Sequence, residues 1–404
     1  MKRILFVDDE PCILEGLRRT LRSMRGAWSM SFAGSGEEAL HRMEEQPFDV
    51  VISDMKMPRM DGTSLLGLVQ QIHPGTIRII LSGQADANAC LHSIPVTHQF
   101  FSKPCDVEEL KRSVEACCAL ESMLADAVLR EAVAGTREFS VRPQTHEDLA
   151  RAVRTSDFAP SRIALLIEQE PPIAAVLLRL AFSNYLGHGE GLTSLEEAFQ
   201  FVGPRILREL LLAVPVFRPR ADEAAGICLE SVRRHSLLTA RIARKLVEPP
   251  EDAGRAFLAG LVHDLGKWVL SSALPDRSRR IVAALAEEHR GFHEVERDLF
   301  GATHARIGAY LMALWGTPDW LVTSIAGHHD PAEIPAGGRL NVAGAVWVAS
   351  LLASEQEGES GEAGESLATL ERSSRFSDWR RVASEEWRLI DGFQLSLPTG
   401  EVFA

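Results

Sequence analysis

The sequence contains no apolar run long enough to serve as a signal peptide or to cross a membrane. Its first residues, MKRILFVDDE, read as a short apolar strand that passes directly into acidic residues. We therefore expect a cytoplasmic protein without a membrane partner.

Cysteine is scarce, and no two cysteines form a CxxC pair of the kind used in metal and redox sites. The adjacent Cys117 and Cys118 could form only a strained bridge. We expect reduced cysteines that mostly serve packing, at Cys12, Cys90, Cys105, Cys117, Cys118 and Cys228.

Positive charge is also in short supply. Lysine and arginine number 43 against 56 aspartates and glutamates, which gives a net charge of −13. No basic stretch with interleaved aromatic residues is present, and no global positive field favours a phosphate backbone. We therefore expect no direct nucleic-acid binding.

The 404 residues, 46% of them hydrophobic, are enough for two or three domains with sizeable cores. Residues 2 to 103 alternate short apolar runs with amphipathic helical stretches, which is typical of a doubly wound α/β domain. The pattern predicts a five-stranded parallel sheet, with strands over residues 3–7, 28–33, 49–53, 77–82 and 98–102.

Helical spacing dominates the rest of the chain, where apolar stretches are broken by Gly, Pro and polar turns. The acidic segment 354–366 has few apolar residues and should be a solvated loop, followed by one or two docked helices. The predicted organisation is a first domain over 1–122, a helical linker over 123–147, an all-helical domain over 148–352 and a C-terminal extension over 353–404.

Polar residues stand where the predicted strands end, the edge at which open parallel sheets bind ligands. They are Asp8, Asp9, Asp54, Ser82 and Lys103. Three neighbouring carboxylates repel by roughly a few kcal/mol per pair and need a cation, and their oxygen donors suit Mg²⁺. Any one of these residues alone would more simply be a solvated loop residue, but five at matching strand ends predict a site.

Such a site could transfer phosphate. Mg²⁺ and the Lys103 ammonium would draw charge from a phosphoryl group, so that Asp54 could attack a phosphodonor and form an acyl phosphate. Ser82 would then hydrogen-bond a phosphoryl oxygen.

The motifs VDDEP, SDMKMPRMDG, LSG and FFSKP resemble the receiver domain of two-component response regulators, over about residues 1–122. The resemblance implies a flavodoxin-like fold and phosphorylation of Asp54 by a sensor histidine kinase. It also implies that Asp9, Asp54 and the Lys56 carbonyl hold Mg²⁺, with Asp8 helping through water.

Three details accompany this resemblance. Phe100 falls where the family keeps a switch aromatic, although an ordinary core aromatic explains it equally well. The Lys103–Pro104 bond is expected to be cis. Ser82 stands where threonine also occurs in the family, with one methyl group less to restrain the loop.

The helical part contains a second group of candidate residues. A lone histidine on an apolar helix is usually a hydrogen-bonded core residue. Five of them with an aspartate and Lys267 are better explained by convergence on a metal or a phosphate. Imidazoles with one carboxylate suit Fe, Mn, Zn or Ni, and such a metal could activate water for attack on a phosphoester. The candidates are His235, His263, Asp264, His304, His328 and His329.

This part resembles the HD phosphohydrolase superfamily, and more closely its HDOD output domain, over about residues 145–352. The matching motifs include LAGLVHDLGK, THARIGAYL and IAGHHD. Ser350 stands where a last metal-binding aspartate is expected, and no GYP follows His329. Asp330 could replace the missing carboxylate. Glu294 and Glu296 could position a ligand or form a second shell around a metal, but they are interpreted as solvated helix charges.

Together these features predict a response regulator in which phosphorylation of Asp54 changes the placement of an HDOD output domain. That domain would act as an interaction module for a downstream signalling protein, in a monomer or a homodimer. The alternative is a metal-dependent phosphohydrolase acting on nucleotides or cyclic (di)nucleotides. The module is favoured because the carboxylate at position 350 is missing.

Overall fold

The computed structural model describes residues 1–83, 87–154, 159–187, 189, 191–219, 226–287, 290–330, 339–358, 367–368 and 370–394; for 87–89 and 391–394 it describes the backbone alone. None of the described helices combines the length and the hydrophobicity needed to cross a bilayer.

The N-terminal part is a five-stranded sheet in the order β2-β1-β3-β4-β5, with every neighbouring pair parallel. This confirms the predicted sheet, and each strand lies within one residue of its predicted bounds. The strands are β1 (Lys2–Val7), β2 (Trp28–Ala33), β3 (Val50–Asp54), β4 (Ile77–Ser82) and β5 (Gln99–Ser102).

Five helices cover the two faces of this sheet, and polar side chains cap three of them. Ser35 accepts from the Glu38 amide, Asp61 from the Ser64 amide and Asp106 from the Glu108 amide, which satisfies amides that lack a partner within each helix. The helices are α1 (Pro11–Thr20), α2 (Gly36–Glu45), α3 (Gly62–Ile72), α4 (Ala87–Ser93) and α5 (Val107–Ala119).

The remainder is helical, as predicted. Five of its described helices begin with a proline, whose missing amide is no loss in the first turn. In order they are α6 (Ala127–Ala134), α7 (Pro143–Ala152), α8 (Pro160–Ile167), α9 (Pro171–Ala181), α10 (Leu195–Val202), α11 (Pro204–Leu212), α12 (Leu229–Leu246), α13 (Ala253–Val262), α14 (Leu265–Ala273), α15 (Pro275–Glu287), α16 (Phe292–Phe300), α17 (His304–Leu314), α18 (Asp319–Ala326), α19 (Val342–Glu357) and α20 (Phe376–Gln394).

The segment interpreted as a helical linker has two parts. It is helical in α6 and then enters β6 (Phe139–Val141), which pairs in parallel with β7 (Phe217–Pro219). The sequence pattern did not indicate this short pair, and it ties residues 139–141 to the helical part of the chain.

The prediction of a solvated loop over 354–366 is wrong for its first four residues. Helix α19 continues to Glu357 and ends where Gly358 adopts a left-handed backbone with φ of 78°. Ser354 is buried, so packing extends this helix beyond its apolar sequence. Residues 359–366 lie outside the described part of the chain.

Candidate functional site

Four of the predicted polar residues meet at the carboxyl edge of the sheet. Lys103 Nζ lies 2.8 Å from Asp8 Oδ2 and forms an ion pair with Asp54 Oδ1. The backbone amide of Lys103 donates to the Ser82 carbonyl at 2.8 Å, which holds β4 and β5 together at this edge. Asp8 and Ser82 are buried, and Asp54 is 7% exposed. We name Asp8, Asp54, Ser82 and Lys103 the acidic pocket.

The loop after β3 fixes the second oxygen of Asp54. The backbone amide of Lys56 donates to Asp54 Oδ2 at 3.0 Å. Gly62, at the start of α3, closes the loop so tightly that a Cβ there would lie 2.2 Å from the Asp54 carbonyl oxygen. Only glycine permits this approach, so α3 packs directly behind the carboxylate.

Burial and charge act in opposite directions in the acidic pocket. Burial raises the pKa of the Asp54 carboxyl, and the hydrogen bond and charge of Lys103 offset part of that rise. For Lys103, burial lowers the pKa, but attraction from Asp54 and Asp8 outweighs it, so the pKa is raised overall. Lys103 therefore remains a cation beside two carboxylates at neutral pH.

Asp9 and the Ser82 hydroxyl make fewer contacts at this site than Asp8, Asp54 and Lys103 do. Asp9 is exposed at the rim of the pocket. The described contacts of Ser82 Oγ include a long one of 3.4 Å to the Gly83 carbonyl. The Lys103–Pro104 bond is cis, as predicted.

The histidines of the helical part come together with Asp264. Ligating atoms of His304, His328 and His329 lie within 4.8 Å of one another, as do those of His235, His263 and Asp264. The two groups adjoin, because the His263 and His328 ring centroids are 4.6 Å apart. We name these six residues the imidazole cluster.

Asp264 lies at the centre of the imidazole cluster. Its Oδ1 is 3.0 Å from His304 Nε2 and 3.6 Å from His328 Nε2, and its Oδ2 is 2.9 Å from Lys267 Nζ. Burial raises the pKa of Asp264, but Lys267 and the histidines outweigh it and hold that pKa well below its usual range. Asp264 is therefore an anion at neutral pH.

The donor set of the imidazole cluster fits a divalent transition metal. His263 Nε2 is buried and has no hydrogen-bond partner among the described residues, and His304 Nε2 lies 2.9 Å from His329 Nε2. Imidazole nitrogens pointing at one another with a single carboxylate form a poor hydrogen-bonding core but a suitable ligand set.

Two carboxylates lie next to this cluster; the sequence suggested Glu296 only as the less favoured alternative and gave no sign of Glu357. Glu296 was interpreted as a solvated helix charge, which is wrong: it is 1% exposed and contacts Nδ1 of His304. Glu357 fell in the supposed loop, yet its carboxylate contacts Nδ1 of His235. Alternating polar residues on a helix do not reveal which one faces inward, so only the packing shows these contacts.

The remaining candidates differ in how they lie relative to the cluster. Glu294 helps to cap α16 through the Gly291 amide and pairs with Arg290, as expected for a helix charge. Asp330 is exposed. Ser350 faces the cluster, with its hydroxyl 3.2 Å from His235 Nε2.

Family models match two separate parts of the chain. The response regulator receiver domain matches residues 4–115, and the HDOD domain matches residues 140–331. The chain joins a receiver domain to an HDOD domain. Its architecture is that of a response regulator with an HDOD output domain.

Individual relatives agree with this assignment. The transcriptional regulatory protein GlrR of Escherichia coli (strain K12) is 32% identical over 133 residues, 32% of this chain and 29% of its own. Protein-glutamate methylesterase/protein-glutamine glutaminase 5 of Anaeromyxobacter dehalogenans is 29% identical over 246 residues, 60% of this chain and 58% of its own. The chain thus spans less than two thirds of the length of either relative.

Among solved structures, the signal receiver domain of an HD domain-containing protein from Pseudomonas fluorescens Pf-5 is 32% identical. That match covers 28% of this chain and 91% of the other, with a TM-score of 0.27.

The receiver and HDOD domains are in direct contact around Arg179 of helix α9. Its guanidinium donates to the receiver carbonyls of Ile94, at 3.1 Å, and of Thr97. The guanidinium carbon lies 5.4 Å from the Phe100 ring and 4.8 Å from the Trp315 ring. Arg179 is 3% exposed, and burial lowers its pKa to about 9.

Two further contacts belong to this interface, one of them next to the acidic pocket. The Tyr185 hydroxyl of the HDOD domain donates to the carbonyl of Gly83, the residue after Ser82, at 3.4 Å. Gln99 Nε2, on the edge strand β5, donates to the Leu314 carbonyl at 3.1 Å. The receiver surface that carries Ser82 and Phe100 is therefore the surface that meets the HDOD domain.

Proposed function

We propose that this response regulator is switched by phosphorylation of Asp54 from a partner histidine kinase. The supporting observation is the acidic pocket, where Lys103 and the Lys56 amide hold the two oxygens of one carboxylate. An Asp54 oxygen attacks the phosphorus of a phosphohistidine, the P–N bond breaks and its electron pair returns to the imidazole. The product is an acyl phosphate on Asp54.

Asp8, Asp9, Asp54 and the Lys56 carbonyl would hold Mg²⁺ in this pocket. Bound there, the ion would neutralise charge on the phosphoryl oxygens. These ligands suit a divalent cation, because the two carboxylates of Asp8 and Asp54 pair with one ammonium, that of Lys103, and so carry excess negative charge. Lys103 would pair with a phosphoryl oxygen, and the Ser82 hydroxyl would donate to another.

The signal would pass to the HDOD domain through the contact around Arg179. Drawing Ser82 towards a phosphoryl oxygen moves the backbone of Gly83, which Tyr185 contacts. Phe100 lies under Arg179, which favours its role as a switch aromatic over that of a simple core residue. A phosphoryl group that favours one docking geometry would thus shift the equilibrium between two arrangements of the domains.

The output of the HDOD domain would be an interaction with a downstream signalling protein in the cytoplasm, as a monomer or a homodimer and without nucleic acid. We place the receiver at residues 1–122, a linker at 123–147, the HDOD domain at 148–352 and an extension after it. The pairing of β6 with β7 favours counting residues 139–147 with the HDOD domain.

A second candidate output is metal-dependent hydrolysis of nucleotides or cyclic dinucleotides. Convergence of the imidazole cluster beside Lys267 favours it, because a cluster-bound Fe, Mn, Zn or Ni ion would activate water and Lys267 could hold a phosphate. Ser350, which supplies a hydroxyl where a carboxylate is expected, favours the interaction module instead.

The test of the switch is acid-labile labelling from radioactive acetyl phosphate with Mg²⁺. The wild type should take up about one phosphoryl group, and the Asp54→Asn variant none. Labelling of Asp54→Asn to the wild-type level would contradict the proposal. For the output, hydrolysis of a nucleotide panel that is lost in His263→Ala would favour the enzyme, and its absence the module.

A further inference from the structure

One buried carboxylate, Glu296, and one partly buried carboxylate, Glu357, contact histidines of the imidazole cluster from the outside. Glu357 Oε2 lies 2.8 Å from His235 Nδ1, and Glu296 Oε2 lies 2.6 Å from His304 Nδ1. The side chain of Glu296 is 1% exposed and that of Glu357 is 11% exposed. Carboxylates so placed take up the hydrogen-bonding capacity of one ring nitrogen and leave the other facing inward.

The same ring nitrogen is occupied in two further histidines. His263 Nδ1 lies 2.7 Å from the Gly260 carbonyl, and His328 Nδ1 lies 2.7 Å from the Ile325 carbonyl. An oxygen acceptor requires an N–H, so Nδ1 carries the proton in these rings and Nε2 carries the lone pair when the ring is neutral. Four imidazoles therefore present the same nitrogen to the interior of the cluster.

Glu357 and Ser350 reach opposite edges of one ring. The Ser350 hydroxyl faces Nε2 of His235, the inward nitrogen, whereas Glu357 contacts the outward Nδ1. A carboxylate at position 350 would be a ligand. Glu357 instead fixes the orientation of His235 and makes its Nε2 a stronger donor to a metal.

We infer that Glu357 and Glu296 are positioning residues that tune the imidazole cluster for a divalent transition metal. Imidazole-rich ligation selects ions such as Zn²⁺, Fe²⁺ or Ni²⁺ over Mg²⁺ or Ca²⁺. The two outer carboxylates strengthen histidine ligation and so compensate for the missing carboxylate at Ser350. This role depends neither on phosphorylation of Asp54 nor on hydrolysis by the HDOD domain.

The test is the affinity of the full chain for zinc alone, measured by competition with a chromophoric chelator. Glu357→Ala and Glu296→Ala should each weaken binding by roughly 10- to 100-fold. Glu355→Gln is a matched control on the same helix, since Glu355 pairs with Arg380 and not with a histidine. It should bind zinc as the wild type does.

Cobalt(II) separates positioning from a general effect on folding. The visible absorption bands of the cobalt-loaded chain should change in Glu357→Gln, because the ligand geometry changes, and remain unchanged in Glu355→Gln. The glutamine variant keeps the side-chain shape and decides the question if Glu357→Ala does not fold. A wild type that binds no zinc, or glutamate variants with unchanged zinc affinity and cobalt bands, would overturn the inference. Phosphorylation of Asp54 is tested by a separate labelling experiment, whose result does not depend on zinc binding.

Discussion

The buried guanidinium of Arg179 in the HDOD domain donates to the receiver carbonyl of Ile94 at 3.1 Å. Burying a cation to 3% exposure is costly unless it is hydrogen-bonded, and here backbone carbonyls accept from both terminal nitrogens, while Nε has no partner among the described residues. Because Phe100 lies under the same guanidinium, this contact joins the two domains at the point where we expect the receiver to change shape.

Removing this cation should loosen the interface. Arg179→Ala leaves the carbonyls of Ile94 and Thr97 without a donor, and we expect a loss of about 2–4 kcal/mol in the free energy of unfolding. Urea denaturation of the full chain measures it. Arg151→Ala, which breaks an exposed pair with Asp148, is the control and should cost less than about 1 kcal/mol. Equal effects of the two variants would show that Arg179 does not hold the domains together.

The close approach of Gly62 to Asp54 gives a second prediction. Gly62→Ala would place a methyl group 2.2 Å from the Asp54 carbonyl oxygen, so the loop must move and the acceptor carboxylate with it. We expect a loss of about 2–3 kcal/mol in the free energy of unfolding and a lower rate of labelling by acetyl phosphate.

Gly67 in the same helix provides the control for this change. A Cβ there has one neighbour, the side chain of Val96 at 3.8 Å, which is an ordinary contact. Gly67→Ala should therefore stabilise helix α3 by about 0.5–1 kcal/mol and leave labelling unchanged. A Gly62→Ala protein that matches Gly67→Ala in both stability and labelling would disprove the role of the tight loop.

The buried His98 predicts a dependence of stability on pH. Its Nδ1 accepts the backbone amide of Arg78, and burial first, then the charge of Arg78, holds the pKa of His98 well below 6.5. Below pH 6.5 the unfolded chain protonates this histidine while the folded chain does not. Its contribution to stability is therefore lost as pH falls below 6.5, with a slope of up to about 1.4 kcal/mol per pH unit.

The measurement is the free energy of unfolding of wild type and His98→Gln between pH 7.5 and 5, compared as a difference so that other titrating groups cancel. The wild type should lose stability more steeply than the variant below pH 6.5. Parallel curves would mean that folding does not lower the pKa of His98.

The sequence was sufficient to predict those elements whose pattern lies within a few neighbouring residues. The five strands are short apolar runs, and Asp8, Asp54, Ser82 and Lys103 stand at or directly after their carboxyl ends, so sheet topology alone brings those residues together. The pattern of histidines likewise indicated the imidazole cluster before any helix was placed.

What the sequence could not indicate depends on packing between distant segments. Glu357 and His235 are 122 positions apart, and nothing in an acidic stretch indicates that a given carboxylate turns inward. Arg179 lies in an apolar helix, where a single arginine gives no sign of whether it reaches solvent or another domain. These contacts follow from how α9, α12 and α19 pack, which helical periodicity does not encode.

The most direct test of a phosphorylation-controlled interface is hydrogen–deuterium exchange of the full chain with and without acetyl phosphate and Mg²⁺. We predict that amides around Ile94 to Phe100 and around Arg179 to Leu186 change their exchange when the phosphodonor is added to the wild type, and do not change in Asp54→Asn. Identical exchange in the labelled and unlabelled wild type at these segments would contradict the account.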